Sequence, residues 1–379
     1  MNAKEIRAYF QQQQELLLNS IYEIVEIESP SFDVEGSRKV VSWIESELAK
    51  IPLDLIIEKT FAEEYGEHLI IRKFSTGGKP CFILGHTDTV HPVGAKLQNP
   101  TRIEDGKFYG CGIFDMKANI VLMLAVLRFL AENKIENVRP FTIMLSCDEE
   151  IGSFTGREIV EREAANAEFC LVCEPSANGK VKTARKGTGM FTVKTHGIPA
   201  HAGLEPEKGA SAILEISKQI PKIHELNNLE KGTTANVCQI HGGTASNVIP
   251  EHAECLVDVR FSSMSEAVKV ENAIKNLQST DERVSIAISG AINRPPMERT
   301  EKVVALYEKA KNLAASFDYQ LGETQVGGAS DGNFVGALGV PLIDGLGVAG
   351  NGAHTLDEYI LIDDLANRAT LMTLLLLSE

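Results

Sequence analysis

The stretch Cys81-Phe82-Ile83-Leu84-Gly85-His86-Thr87-Asp88 begins as a run of mostly apolar residues and ends in an imidazole and a carboxylate. A short apolar run that stops at polar residues reads as a buried strand. Two later stretches have the same form. Residues 141–147 run into Asp148-Glu149-Glu150, and residues 169–173 run into Glu174. Helical patterns separate the three, over 116–130 and from about 156 to 162. Buried strands alternating with helices predict an α/β layer fold around a mainly parallel sheet. In open sheets of that kind, ligands bind outside the carboxyl ends of the strands. Three strands here deliver an imidazole or a carboxylate to that one edge.

Working outward, the first 45 or so residues read as helical, with Leu16, Leu17, Ile21, Ile24 and Val25 near helical spacing, and 68–73 reads as a further strand. The pattern changes near residue 181. From there the order is strand (190–196), helix (209–229, with Ile213, Ile216, Ile220 and Ile223 on one face), strands (233–241 and 253–261), helix (265–277) and strand (284–289). That is the β-α-β-β-α-β arrangement of ferredoxin-like units. Asn293-Arg294-Pro295-Pro296 reads as a hinge, after which the helix 303–317 resumes the α/β pattern. The expected architecture is therefore one α/β domain, residues 1–180 and 292–379, carrying an inserted domain at 181–291.

Bulk properties narrow the function. The chain has 379 residues, with 52 acidic against 37 basic side chains and a net charge of −15. That balance argues against binding nucleic acid, which needs a basic footprint, and against docking on an anionic membrane surface. The longest apolar run, 120–127, ends at Arg128, well short of the roughly 20 residues of a membrane span. The N-terminus shows no signal-peptide pattern, and seven scattered cysteines suggest reduced thiols, so the expected location is the cytoplasm. Cys170 and Cys173 form a CxxC without a second pair, inside a stretch that reads as a buried strand.

The remaining question is what gathers at the sheet edge. Asp115 adds a fourth carboxylate, in the turn after Gly110-Cys111-Gly112, and His354 adds a second imidazole in Gly350-Asn351-Gly352-Ala353-His354. Carboxylates crowded in a partly buried spot repel unless a cation neutralises them or some stay protonated. Imidazoles mixed with carboxylates suit zinc better than calcium or magnesium. Two histidines with three or four carboxylates exceed what one tetrahedral ion can use, and match two ions about 3.5–4 Å apart. Each piece alone has an ordinary reading: Asp148-Glu149-Glu150 as a solvated loop or helix start, Glu174 as a strand end, His354 as a loop histidine.

The motifs GHTDTV (85–90), GIFDMKA (112–118), DEEIGS (148–153), CEPS (173–176), PAHAG (199–203), SNVIP (246–250), DVRF (258–261), GGASD (327–331) and GAHTLDEY (352–359) follow one another along nearly the whole chain. In this the sequence resembles the di-zinc metallopeptidase family of carboxypeptidase G-type glutamate carboxypeptidase, aminoacylase, acetylornithine deacetylase and succinyl-diaminopimelate desuccinylase. The resemblance implies a zinc-hydrolase catalytic domain, with the inserted domain as lid and dimerisation domain of a homodimer. It implies two Zn2+ per subunit, with Co2+ or Mn2+ as substitutes. His86, Asp115, Glu150, Glu174 and His354 would be the ligands, Asp115 bridging and joined to Met116 by a cis peptide bond. Asp88 would hold the other ring nitrogen of His86. Glu149 would stay off the metals as general base, pointing the opposite way from Glu150 at the strand end. His201 would donate to the oxyanion, in some dimers from the partner subunit, although it also reads as a turn histidine.

For substrate binding, the Arg260 fork suits a carboxylate. Asn247, the backbone of Gly327-Gly328-Ala329-Ser330 and Arg294 are further candidates. The expected reaction is hydrolysis of an amide bond of a peptidyl or N-acyl amino acid, glutamate-carboxypeptidase-like. An N-acyl amino acid deacylase or a dipeptidase is the alternative. A catalytically silent binding protein on the same scaffold is the alternative of a different class.

Overall fold

A computed structural model describes residues 1–75, 78–135 and 138–378. The chain forms two compact units. One comprises Met1–Ala184, Arg299–Val326 and Ser330–Glu379; the other comprises Arg185–Glu298 and Gly327–Ala329.

The first unit is built on a six-stranded sheet. Its order is Ile56–Ala62, Gly66–Lys73, Phe141–Ser146, Cys81–His86, Phe169–Val172 and Leu342–Ile343. The first two contacts are antiparallel and the other three parallel. Every residue of Cys81–His86 and Phe141–Ser146 is buried. Central parallel strands are covered on both faces, which is why they read as unbroken apolar runs. The covering helices Ala118–Glu132 and Leu365–Leu377 are apolar nearly all round, and Leu122, Phe129, Leu371 and Leu375 join Ile83 and Phe141 in one core.

The N-terminal helical stretch is three helices, Ala3–Gln12, Gln14–Val25 and Val34–Leu48. Asn2 and Glu5 cap the first reciprocally, and the Asp33 side chain caps the third. The edge strand Ile56–Ala62 carries no clean alternation and is largely exposed, so sequence periodicity does not reveal it. The long helix starts at Ala118 rather than Met116, because Asp115 (φ −117°, ψ 93°) and Met116 leave helical geometry. Cys170 and Cys173 are buried and unbridged, and burial pushes both thiols well above their ordinary range, so neither is a ready thiolate.

The second unit is a four-stranded antiparallel sheet ordered Thr234–Gly242, His252–Phe261, Gly187–His196, Ser285–Arg294. The strand His252–Phe261 alternates buried and less buried residues. Its buried side packs Val257 and Phe261 with Ile216 from the helix Ala212–His224 and Ile274 from the helix Met264–Lys275. This is the ferredoxin-like order. The last strand runs on to Arg294, so Asn293 and Arg294 belong to the sheet rather than to a hinge. Arg294 pairs with Thr188 of Gly187–His196, and Asn293 is the extra residue where the register shifts between Ile292 and Arg294.

Candidate metal centre

Register explains why the charged strand ends meet. In the parallel ladder His86 lies beside Ser146, and Leu84 lies beside Val172. The three strands therefore end level, and Asp88, Glu149, Glu150 and Glu174 all follow at one edge. Asp115 and His354 arrive by a different route. The strands Lys107–Tyr109 and Tyr359–Leu361 pair with Tyr109 opposite Tyr359, and Tyr359–Leu361 pairs in turn with Gly350–Asn351. Asp115 follows the first of these strands, and His354 sits in the hairpin between the other two. His354 takes a left-handed φ of +66° within the loop 352–358, a conformation uncommon for a residue other than glycine.

The Asp115 carboxylate divides its oxygens. Oδ1 lies 3.1 Å from His86 Nε2, and Oδ2 lies 3.3 Å from His354 Nε2. Glu174 Oε1 is 3.4 Å from His86 Nε2, and Glu150 Oε2 is 3.2 Å from His354 Nε2. Asp115 thus stands between two donor groups, one with His86 and Glu174, the other with His354 and Glu150. Glu149 has a donor atom within 4.8 Å of those of His86 and Glu174. The Asp115–Met116 peptide bond is cis.

The charges are extreme without a cation. Burial opposes a charged His86, yet contacts with Asp115, Asp88 and Glu174 hold its pKa well above the usual value. Asp115 and Glu150 raise His354 to about 10. Burial disfavours ionised Asp115, but His354 and His86 pull its carboxyl far below the ordinary range. Glu150 moves the other way, to about 7, chiefly through burial, with His354 opposing. Its Oε1 is buried with no hydrogen-bond partner among the described residues. The donors lie about as far apart as ligands sharing one tetrahedral ion, each about 2.0–2.2 Å from the metal. The residues therefore fit a pair of divalent ions, which would replace the protons that the imidazoles otherwise hold.

Asp88 differs in detail from expectation. The closest acceptor to His86 Nδ1 is the Asp88 backbone carbonyl at 2.9 Å; its carboxylate Oδ1 is at 3.3 Å. That carboxylate also accepts from the amides of Glu149 (3.2 Å) and Glu150 (3.1 Å) and from Ser31 Oγ (2.7 Å). It therefore orients both the histidine and the acidic turn. Glu149 and Glu150 diverge because they sit in a 3-10 turn, Glu149–Ile151, not because of strand alternation. Asp148 faces elsewhere and accepts from Thr155 N–H (2.6 Å), Thr155 Oγ1 (2.8 Å) and Gly156 N–H (3.3 Å) at the start of the helix Gly156–Ala164.

Glu358 is the residue that sequence reasoning missed. Its fully buried carboxylate accepts from three amides of the Asp115 loop, Gly112 (2.9 Å), Phe114 (2.8 Å) and Asp115 (2.9 Å), and contacts His91 Nε2 at 2.6 Å. It lies four residues after His354 in the GAHTLDEY motif, and that proximity was the one available signal.

With this geometry in view, comparison with known proteins decides the family. The profile of peptidase family M20/M25/M40 matches residues 82–378. The chain belongs to peptidase family M20/M25/M40. This M20 chain is 27% identical over 365 residues to carboxypeptidase G2 of Pseudomonas sp. (strain RS-16), covering 94% of the chain and 87% of that protein. It is 30% identical over 324 residues to succinyl-diaminopimelate desuccinylase of Paracidovorax citrulli (strain AAC00-1), covering 78% and 80%. Its fold is shared with the aminopeptidase PepT of Bacillus cereus ATCC 10987, with a TM-score of 0.77 at 24% identity over 96% and 98% of the two chains. The M20 chain is a metal-dependent amide hydrolase. No helix among its described residues is long and apolar enough to cross a membrane.

The remaining candidates of the M20 chain lie in the second unit. PAHAG and SNVIP meet there: Ala200 pairs with Ile249 and His201 with Val248, and the Ala202 amide donates to the Asn247 carbonyl at 2.9 Å. His201 is exposed, and its Nδ1 accepts from the amides of Gly203 and Leu204, both at 3.1 Å. Nδ1 being an acceptor, the proton of the neutral ring belongs on Nε2. Arg260 and Arg294 are both cross-strand partners of Thr188, which puts them in one row of the sheet. Arg260 is gripped by Asp258 through Nε (3.0 and 3.1 Å) and Nη2 (2.8 Å), and Arg294 is buried. The Gly328 carbonyl accepts from Arg185 Nη1 at 3.2 Å.

Proposed function

We propose that this hydrolase is a di-zinc carboxypeptidase that removes a C-terminal, carboxylate-bearing amino acid from a peptidyl or N-acyl substrate. The observation that carries it is the split Asp115 carboxylate, one oxygen toward His86 and the other toward His354. His86, Asp115 and Glu174 would hold one ion, and Asp115, Glu150 and His354 the other. Zinc, or Co2+ or Mn2+ in its place, would supply acidification of water and polarisation of the amide carbonyl.

The chain's own groups do the rest. Glu149, buried beside His86 and Glu174, takes the proton of the attacking water and returns it to the departing nitrogen. His201 carries its proton on Nε2 and hydrogen-bonds that N–H to the developing oxyanion, keeping the proton throughout. Arg260 and Asn247 bind the substrate carboxylate, with Arg294 in the same row and the Gly328 backbone completing the pocket. The protein works as a cytoplasmic homodimer joined through its ferredoxin-like unit.

Assay of zinc-loaded protein against a panel of N-acetyl amino acids, dipeptides and N-acyl or folyl glutamates tests this reading. Selective release of a C-terminal glutamate supports it. Preference for acetylornithine-type substrates or free dipeptides would move the enzyme to the deacylase or dipeptidase reading. Light scattering at low concentration tests the dimer.

A further inference from the structure

A second group of metal-type donors lies on the ferredoxin-like unit, built from residues with no part in the hydrolytic centre. His196 ends the strand Gly187–His196, His252 begins the strand His252–Phe261, and the two are direct cross-strand partners. Their Nδ1 atoms are 3.1 Å apart, and the ring centroids 4.7 Å. Glu251 precedes His252 and reaches both rings. One carboxylate oxygen is 3.7 Å from His196 Nε2, and the other is 3.7 Å from His252 Nε2. The Glu251 carbonyl accepts from the Gly197 amide at 2.7 Å, so the turn is tied to the neighbouring strand.

A contact of 3.7 Å is too long for a hydrogen bond. It suits two ligands on one small cation, which bonds each at about 2.0–2.2 Å and leaves them a little over 3 Å apart. One donor atom from each of the three residues lies within 4.8 Å of the others. The side chains are 56%, 69% and 40% exposed for His196, His252 and Glu251, so small rotations can close the remaining gap. Lys194, the cation two pairs along the ladder, is occupied by Glu254 at 3.2 Å. The three donors border a groove of about 570 Å³ that His241 also lines.

We infer that His196, Glu251 and His252 form a surface site for one borderline divalent ion, of the zinc, copper or nickel class. Two imidazoles and one carboxylate favour such ions over calcium or magnesium. Three protein ligands leave a coordination position open to the groove, as in sites that accept a further ligand. The site is independent of the hydrolytic reading, since it shares no residue with that centre.

Equilibrium dialysis of the full chain against buffered free zinc tests the inference, with bound metal read by elemental analysis. The wild type is expected to hold one more zinc per chain at saturation than His252→Ala or Glu251→Gln. His86→Ala, damaged in the hydrolytic centre, should still show that one-zinc difference when combined with His252→Ala. A second measurement needs no variant. Zinc should shield His196 and His252, but not exposed His224, from diethyl pyrocarbonate, as read by peptide mass spectrometry. Equal zinc content in wild type and His252→Ala, or equal modification of His196 and His252 with and without zinc, overturns the site.

Discussion

Asp115 and Glu358 are 243 positions apart in the chain, and the Asp115 amide donates to the Glu358 carboxylate at 2.9 Å. The bridging candidate is thus fixed from behind by a buried anion that also holds the amides of Gly112 and Phe114. Glu358→Ala leaves three buried N–H groups without an acceptor, each worth about 1–3 kcal/mol. It should lower stability by several times that unit. Glu358→Gln keeps an acceptor and the shape, and should fold, yet bind zinc about 10–100-fold more weakly, as loss of a ligand-orienting group does. Chelator competition measures this, and an unchanged zinc affinity in Glu358→Gln would remove the cradle from the function of the site.

Glu149→Gln should retain its zinc and lose about 10²–10⁴-fold in kcat, the usual contribution of a positioned base. Retention of full turnover with normal metal content would defeat the assignment of Glu149.

The pH dependence of metal binding follows from the two raised groups. His354 is raised from 6.5 to about 10 by Asp115 and Glu150, and burial raises Glu150 from 4.5 to about 7. Both bind protons more tightly in the folded chain than in the unfolded one. Their contribution to metal-free stability is complete below pH 4.5 for Glu150 and below pH 6.5 for His354, and is lost as pH rises through about 7 and about 10 respectively. Bound zinc replaces these protons, so its affinity should rise over the same window. The gap in Tm between zinc-saturated and metal-free protein should therefore widen from pH 5 to pH 9 in differential scanning calorimetry. A gap that narrows would contradict the proton–metal exchange.

Gly347→Ala tests the support beneath Glu174. An added Cβ would sit 2.3 Å from Asn119 Nδ2 and 2.6 Å from the Glu174 carbonyl oxygen. That carbonyl accepts from the Gly347 amide at 3.0 Å, so the backbone must shift at the proposed ligand Glu174. Overpacking of this kind costs about 1–3 kcal/mol. Chemical denaturation should show that loss, and zinc affinity should fall with it.

Arg260→Ala should raise KM for carboxylate-bearing substrates by about 10–100-fold, matching the 1.5–3 kcal/mol of a charged hydrogen bond. Amidated substrates should show a much smaller change. Equal effects on both would place Arg260 outside the substrate carboxylate site.

Much of the molecule is legible in local patterns. The apolar runs before His86, Asp148 and Glu174 mark central strands, because a parallel sheet buried on both faces tolerates little else. The alternation along 253–261 marks the half-buried sheet of the second unit for the complementary reason. Local pattern cannot say which carboxylate of Asp148-Glu149-Glu150 faces the centre. Asp148 turns away to cap a helix, while Asp88 captures the amides of the other two. Nor does periodicity mark Glu358, His91 or Ser31, whose partners lie in segments far removed along the chain. Apolar periodicity is written over neighbouring residues, so it survives in one dimension. A buried anion finds its amide donors only after distant strands have paired in register, and the pairing of Tyr109 with Tyr359 is what brings Asp115 and His354 together.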